Sequence, residues 1–173
     1  ASGLALIFLR HTPPVGSAVV CYGVTDLAAG PDLPNEVRRL QAQLPVVGRI
    51  LSSPLVRCLR LAEALGAARG LEVTVDHRLR ELDFGAWEGR VWDNIPRAEI
   101  DAWAADLMGA RPHGGETVAE LAARVGAALE GAAETAPATL VVTHMGVIRA
   151  ALAQAGRAGA WEARLPFGGW VDI

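Results

Sequence analysis

Two short apolar runs, each finishing on a histidine, limit most tightly what this chain can fold into. One is Leu6-Ile-Phe-Leu-Arg-His11 and the other is Leu140-Val-Val-Thr-His144. Unbroken stretches of branched and aromatic residues read as strands covered on both faces, as inside a parallel sheet. Pro13 and Pro14 stop the first strand and force an extended loop. In an open parallel sheet, ligands bind beyond the carboxyl ends of the strands. If the two strands are neighbours, His11 and His144 meet in one crevice.

The remaining pattern alternates strands with helices. The first strand is expected over residues 4–9, and a long loop over 13–34, of a kind that is often functional in a compact domain. A helix is expected over 35–44, started by Pro34 or Asn35. A second strand covers 46–51. Ser52-Ser53-Pro54 opens a helix that runs to 69, and Gly70 stops it. A third strand is expected over 71–75, with 79–84 extended or irregular. Residues 85–115 hold Trp87, Trp92 and Trp103, with a helix near 97–107. Thr117-x-x-Glu120 is a capping box, followed by an Ala-rich helix to about residue 135. A strand over 139–143, a helix over 147–154 and an edge strand within 168–173 complete the reading. Such alternation gives an α/β fold with a mostly parallel sheet. The length of 173 residues fits one domain, 1–173, with residues 84–116 as a cap or lid.

Composition excludes several roles. The net charge of −3 argues against a general nucleic-acid binder, although a local pocket on an acidic protein can still be positive. All 16 basic residues are Arg, whose planar fork matches phosphate oxygens. Cys21 and Cys58 form no CxxC pair or disulfide framework, so a reducing, cytoplasmic setting is expected. No apolar run approaches the roughly 18 residues of a membrane span. Neither HExxH nor an i,i+4 histidine pair is present, so no metal and no cofactor is expected.

The chemistry gathers at the strand ends. The strand ending near Leu51 would bring Ser52-Ser53-Pro54-Leu-Val-Arg57 to the same rim as the histidines. Arg10 and Arg57 can each donate paired hydrogen bonds to phosphate oxygens. A neutral His11 imidazole can attack phosphorus, and His144 can donate to an equatorial oxygen in the transition state. Glu81, in Arg80-Glu-Leu-Asp-Phe-Gly85, is the candidate proton donor to the leaving oxygen, with Asp83 as its competitor. His77 and His113 read as loop residues, His113 at the pocket border through the Gly114-Gly115 turn. The tryptophans read as core and cap packing, with stacking on an aromatic leaving group as their functional alternative.

Arg10-His11, Ser53-Pro54-Leu55-x-Arg57-Cys58, Glu81 with Phe84-Gly85-x-Trp87-Glu88-Gly89, and Thr143-His144-x-Gly146 stand in an order that resembles the histidine phosphatase (phosphoglycerate mutase-like) superfamily. The resemblance covers residues 4–152. It implies a three-layer α/β/α fold and a phosphohistidine on His11. It also implies a phosphate pocket of Arg10, Arg57 and His144, with Glu81 moving the proton. His11-Thr-Pro-Pro, Cys21-Tyr22-Gly23-x-Thr25-Asp26, Ile95-Pro-Arg97 and Gly114-Gly-Glu-Thr117 are similar to the α-ribazole phosphatase branch of cobalamin assembly. That narrower likeness implies Cys21, Tyr22 and Glu116 as substrate contacts. The sequence departs from the superfamily at Thr12, where Gly is common, and at the helix after Arg57. The expected activity is that of a metal-independent phosphomonoesterase on a small phosphorylated metabolite, with no nucleic-acid or membrane partner, as monomer or homodimer. The rival readings are a protein phosphohistidine phosphatase, a mutase, and a non-catalytic phospho-ligand binding domain.

Overall fold

In the computed structural model, which describes residues 5–130, 132 and 137–173, five strands form one sheet. They are β1 (Ala5–Arg10), β2 (Arg49–Ser52), β3 (Val73–Val75), β4 (Ala138–Thr143) and β5 (Trp170–Asp172). The sheet order is β3-β2-β4-β1-β5. Neighbours pair in parallel except β5, which runs antiparallel along the edge of β1. The fold is thus α/β with a mostly parallel sheet.

The strand sequences explain why the sheet is covered on both sides. Successive side chains of a strand point to opposite faces. Along β1, Ile7 and Leu9 pack in one apolar cluster while Leu6 and Phe8 pack in the other. Along β4, Leu140 and Val142 join the first cluster and Val141 the second. Every residue of β4 is buried, Thr139 and Thr143 included. Helices α1 (Leu33–Gln43) and α2 (Val56–Arg69) cover the Ile7 face through Leu40, Leu61 and Leu65. Helices α4 (Val118–Leu129) and α5 (Met145–Gln154) cover the Phe8 face through Leu121, Val125 and Ile148. Each such buried side chain contributes about 1.5–3 kcal/mol. The three layers implied by the resemblance are therefore present.

Differences from expectation are local. Helix α1 starts at Leu33, ahead of Pro34, because proline fits the first turn of a helix. Strand β2 begins at Arg49, since Val46 lies exposed in the connection after Pro45. Helix α2 begins only at Val56, beyond Pro54, and ends against Gly70. The Thr117 hydroxyl accepts from the Glu120 amide at 3.1 Å, as the capping pattern requires. Helix α4 ends at Leu129; the end expected near residue 135 lies outside the described residues, as does residue 4 of the first strand. Helix α3 (Arg97–Ala105) sits in the 84–116 segment, whose aromatic side chains pack around Phe84.

Candidate active site

Strand register sets the centre of the site. Arg10 pairs with Thr143, so the next residue of each strand, His11 and His144, leaves the sheet side by side. Their ring centroids are 5.2 Å apart, edge to face. Ser52 of β2 pairs with Val142, and the next residue, Ser53, reaches His144 with Oγ to Nε2 at 2.8 Å. The Cys58 thiol lies 3.5 Å from the same nitrogen. Arg57 arrives from the first turn of α2.

His11 is 2% exposed, and its Nδ1 donates to the Thr12 carbonyl at 2.9 Å. That bond fixes the tautomer and leaves Nε2 with a free lone pair. Burial, helped by the nearby Arg57 and Arg10 charges, pushes the His11 pKa from 6.5 down to about 3. His144 is displaced in the same direction by burial and by the positive groups around it. Both imidazoles are therefore neutral near pH 7, the form a nitrogen nucleophile requires.

A cavity of about 570 Å³ opens over this rim, lined by Arg10, His11, Tyr22, Arg57, Glu81, Arg149 and Arg164 among others. Four guanidinium groups on its wall make it cationic on a protein of net charge −3. Arg10 donates to the Leu165 carbonyl at 2.7 Å and stacks 4.1 Å from the centre of the Phe167 ring. Phe167 also faces His11, with ring centroids 5.6 Å apart. Arg57 is fully buried; it donates to the carbonyls of Thr25 at 2.6 Å and Gly23 at 2.5 Å, and its Nε has no protein partner. His144 stands beside His11 but lies behind the cavity wall, bonded to Ser53.

Glu81 lines the cavity and Asp83 does not. The Glu81 carboxylate accepts from the Leu82 amide at 2.8 Å and from the Gly146 amide, at the start of α5, at 3.1 Å. A Cβ on Gly146 would collide with Glu81 Oε1, so glycine is what admits the carboxylate there. Asp83 instead accepts from the Gly85 amide at 2.8 Å and shapes a turn. Gly85, at φ +51°, has the Gly114-Gly115 backbone pressed on it; a Cβ there would collide with the His113 carbonyl.

The three expected substrate contacts separate. Tyr22 lines the cavity. Cys21 does not: it is 1% exposed, packed with Trp87 and Ile95, and burial with nearby Glu88 pushes its thiol up to about 12. Glu116 is also withdrawn, with both oxygens held by Arg124 at 2.7 and 2.9 Å. His113 is buried against Phe84 and Trp87 and does not border the cavity.

Several residues that line or brace the cavity escape the sequence reading. Arg149 and Arg164 line the cavity. Arg149 has a findable signal, because it lies early on the helix that starts at the His144 rim; Arg164 carries none. Arg124 donates to the carbonyls of Arg78, Arg80 and Glu81 at 2.7, 2.7 and 3.0 Å, clamping the strap that carries Glu81. Glu88, present in a quoted motif but without a role there, accepts from the amides of Gly23 and Thr25 and from the Thr25 hydroxyl, all within 2.8–2.9 Å. Asp26 accepts from the Val56 amide at 2.7 Å, capping α2 from a distant loop. Among the described residues no group of three or more His, Cys, Asp or Glu is placed to hold a metal ion, and no helix is long and apolar enough to cross a membrane.

Paired imidazoles and a buried guanidinium gather at the carboxyl rim of the parallel sheet, and comparison with known proteins gives the class. The chain belongs to the histidine phosphatase superfamily (branch 1), whose family model matches residues 35–167. It is 38% identical over 104 residues to a protein of Salmonella paratyphi B named as a probable phosphoglycerate mutase, a match covering 57% of this chain. The chain spans about half the length, 48%, of the curated relatives it matches. A phosphoglycerate mutase of Thermus thermophilus superposes with a TM-score of 0.78 at 30% identity, covering 98% of this chain and 92% of that one. A mycobacterial glucosyl-3-phosphoglycerate phosphatase gives a TM-score of 0.78 at 26% identity, over 99% of this chain and 90% of that one.

Proposed function

We propose that this chain is a metal-independent phosphomonoesterase that works through a phosphohistidine on His11. The observation that carries the reading is the neutral, tautomer-fixed His11 facing a cationic cavity, with its Nδ1 held by the Thr12 carbonyl. A phosphate dianion enters between Arg10 and Arg57. His11 Nε2 attacks phosphorus, the bond from phosphorus to the ester oxygen breaks, and Glu81 protonates the departing oxygen. Water then attacks the phosphohistidine, and inorganic phosphate leaves. His144, buried beside His11 and hydrogen-bonded to Ser53, backs the His11 ring.

The substrate is proposed to be a small ester, with α-ribazole 5′-phosphate the named candidate from the sequence likeness and Tyr22 the one expected contact on the cavity wall. Residues 84–116 are proposed as a cap within a single domain, a reading supported by Phe84 and Trp92 on the cavity wall. A mutase reading is favoured by the names of two relatives and would keep the same His11 chemistry, returning the phosphoryl group to a second hydroxyl instead of water. The test is phosphate release from phenyl phosphate and α-ribazole 5′-phosphate, with and without EDTA, alongside trapping of labelled phosphate on the protein. Turnover unaffected by EDTA and label lost in His11→Ala support the proposal. Full activity in His11→Ala, or loss of wild-type activity with EDTA, overturns it.

A further inference from the structure

Beyond Glu81 the cationic cavity continues into a second chamber of about 370 Å³. The two share Glu81, Phe84, Met145, Arg149 and Arg164 as a common boundary. Past that boundary the wall turns mostly apolar, with Leu82, Trp103, Leu107, Val118, Leu121 and Trp161 and a single further charged group, Glu162. Leu121 and Val118 of α4 are buried, whereas Leu107 and Trp161 are half-buried.

The junction has a direction. The phosphorus must sit against His11, and the ester oxygen must sit against the proton donor Glu81. Whatever is attached to that oxygen is then delivered past Glu81, into the second chamber. We infer that this chamber is the leaving-group site, and that the preferred esters are those of alcohols or phenols carrying an apolar ring system about the size of two fused rings. The inference rests on the phosphomonoesterase reading and names its substrate class. The guanidinium groups of Arg149 and Arg164 stand where the polar phosphate end gives way to the apolar end, the usual arrangement of a mostly apolar site with a few orienting polar groups.

The test compares kcat/KM of the wild-type protein for phenyl phosphate and 2-naphthyl phosphate, whose leaving groups are similarly acidic. Burial of the second ring is expected to raise kcat/KM about tenfold, carried by KM. Leu107→Asp and Trp161→Ala should each bring that ratio towards one. The same contrast can be read without turnover or variants, as about tenfold tighter inhibition by 2-naphthylmethylphosphonate than by benzylphosphonate. Equal constants for the two esters, or a ratio that survives both substitutions, overturns the chamber assignment. So does a preference for glycerol 3-phosphate or 3-phosphoglycerate over both aryl esters. If phenyl phosphate is hydrolysed without naphthyl preference, only the chamber fails. If neither ester is hydrolysed and no phosphoryl group is trapped on His11, the phosphomonoesterase reading fails with it.

Discussion

The rim of the sheet and the loops above it hold their functional groups by different means. At the rim, position follows from strand register: His11, His144 and Ser53 are each the first residue beyond a buried strand. In the loops, charged side chains grip backbone: Glu88 holds 23–25, Arg57 the same loop from below, and Arg124 the strap 78–81. Apolar burial therefore positions His11, the proposed nucleophile, and side-chain-to-backbone hydrogen bonds position Glu81, the proposed proton donor, and the cavity walls. Chemistry and stability should separate at the rim and be coupled in the loops.

The largest effect should break activity alone. His11→Ala is expected to lower turnover more than about 1,000-fold while leaving the melting temperature nearly unchanged, measured by phosphate release and calorimetry. Next, Gly146→Ala should evict the Glu81 carboxylate from the α5 N-terminus and lower kcat about 100-fold, the range for loss of a proton donor. Glu81→Gln should match it and add nothing to it in the double variant. The loop side should behave otherwise. Arg124→Met leaves Glu116 and three carbonyls without their donor, costing about 3 kcal/mol and lowering kcat together, seen in denaturant melts. Glu88→Gln should be milder, about 1–2 kcal/mol, with KM raised because the Gly23–Thr25 loop carries the Arg57 contacts.

A graded effect, spread over several pH units, is expected from the buried histidines. A histidine with a folded pKa of about 3 against 6.5 when unfolded leaves the unfolded chain binding more protons in between. Stability is then fully present above about pH 6.5 and is lost as pH falls towards 3. His144 adds to the same slope. Melting temperature should be level above pH 7 and decline below it, and His144→Gln should flatten the decline. Label transfer to His11 should persist at pH 5, where an ordinary imidazole would be mostly protonated.

The same division explains what the sequence makes legible. The strands, helices and their order can be read because apolar periodicity and caps are local signals, and the paired histidines follow from strand ends alone. The irregular anchors cannot be read in this way. Arg124 and Glu116 meet across a helix start, and Glu88 and Thr25 are 63 residues apart, with no local pattern to announce either pair. Cys21 and Glu116 suggest substrate contacts because they sit in distinctive motifs, but those motifs also contain residues that pack or anchor loops. Tyr22, one residue on from Cys21, takes the outward position.

The Thr12 carbonyl has a chemical signature. With Nδ1 engaged, only the distal ring nitrogen can carry phosphorus, so any adduct on residue 11 should be a single regioisomer. Phosphorus NMR or isomer-selective antibodies applied to the trapped protein would then detect τ-phosphohistidine and no π form.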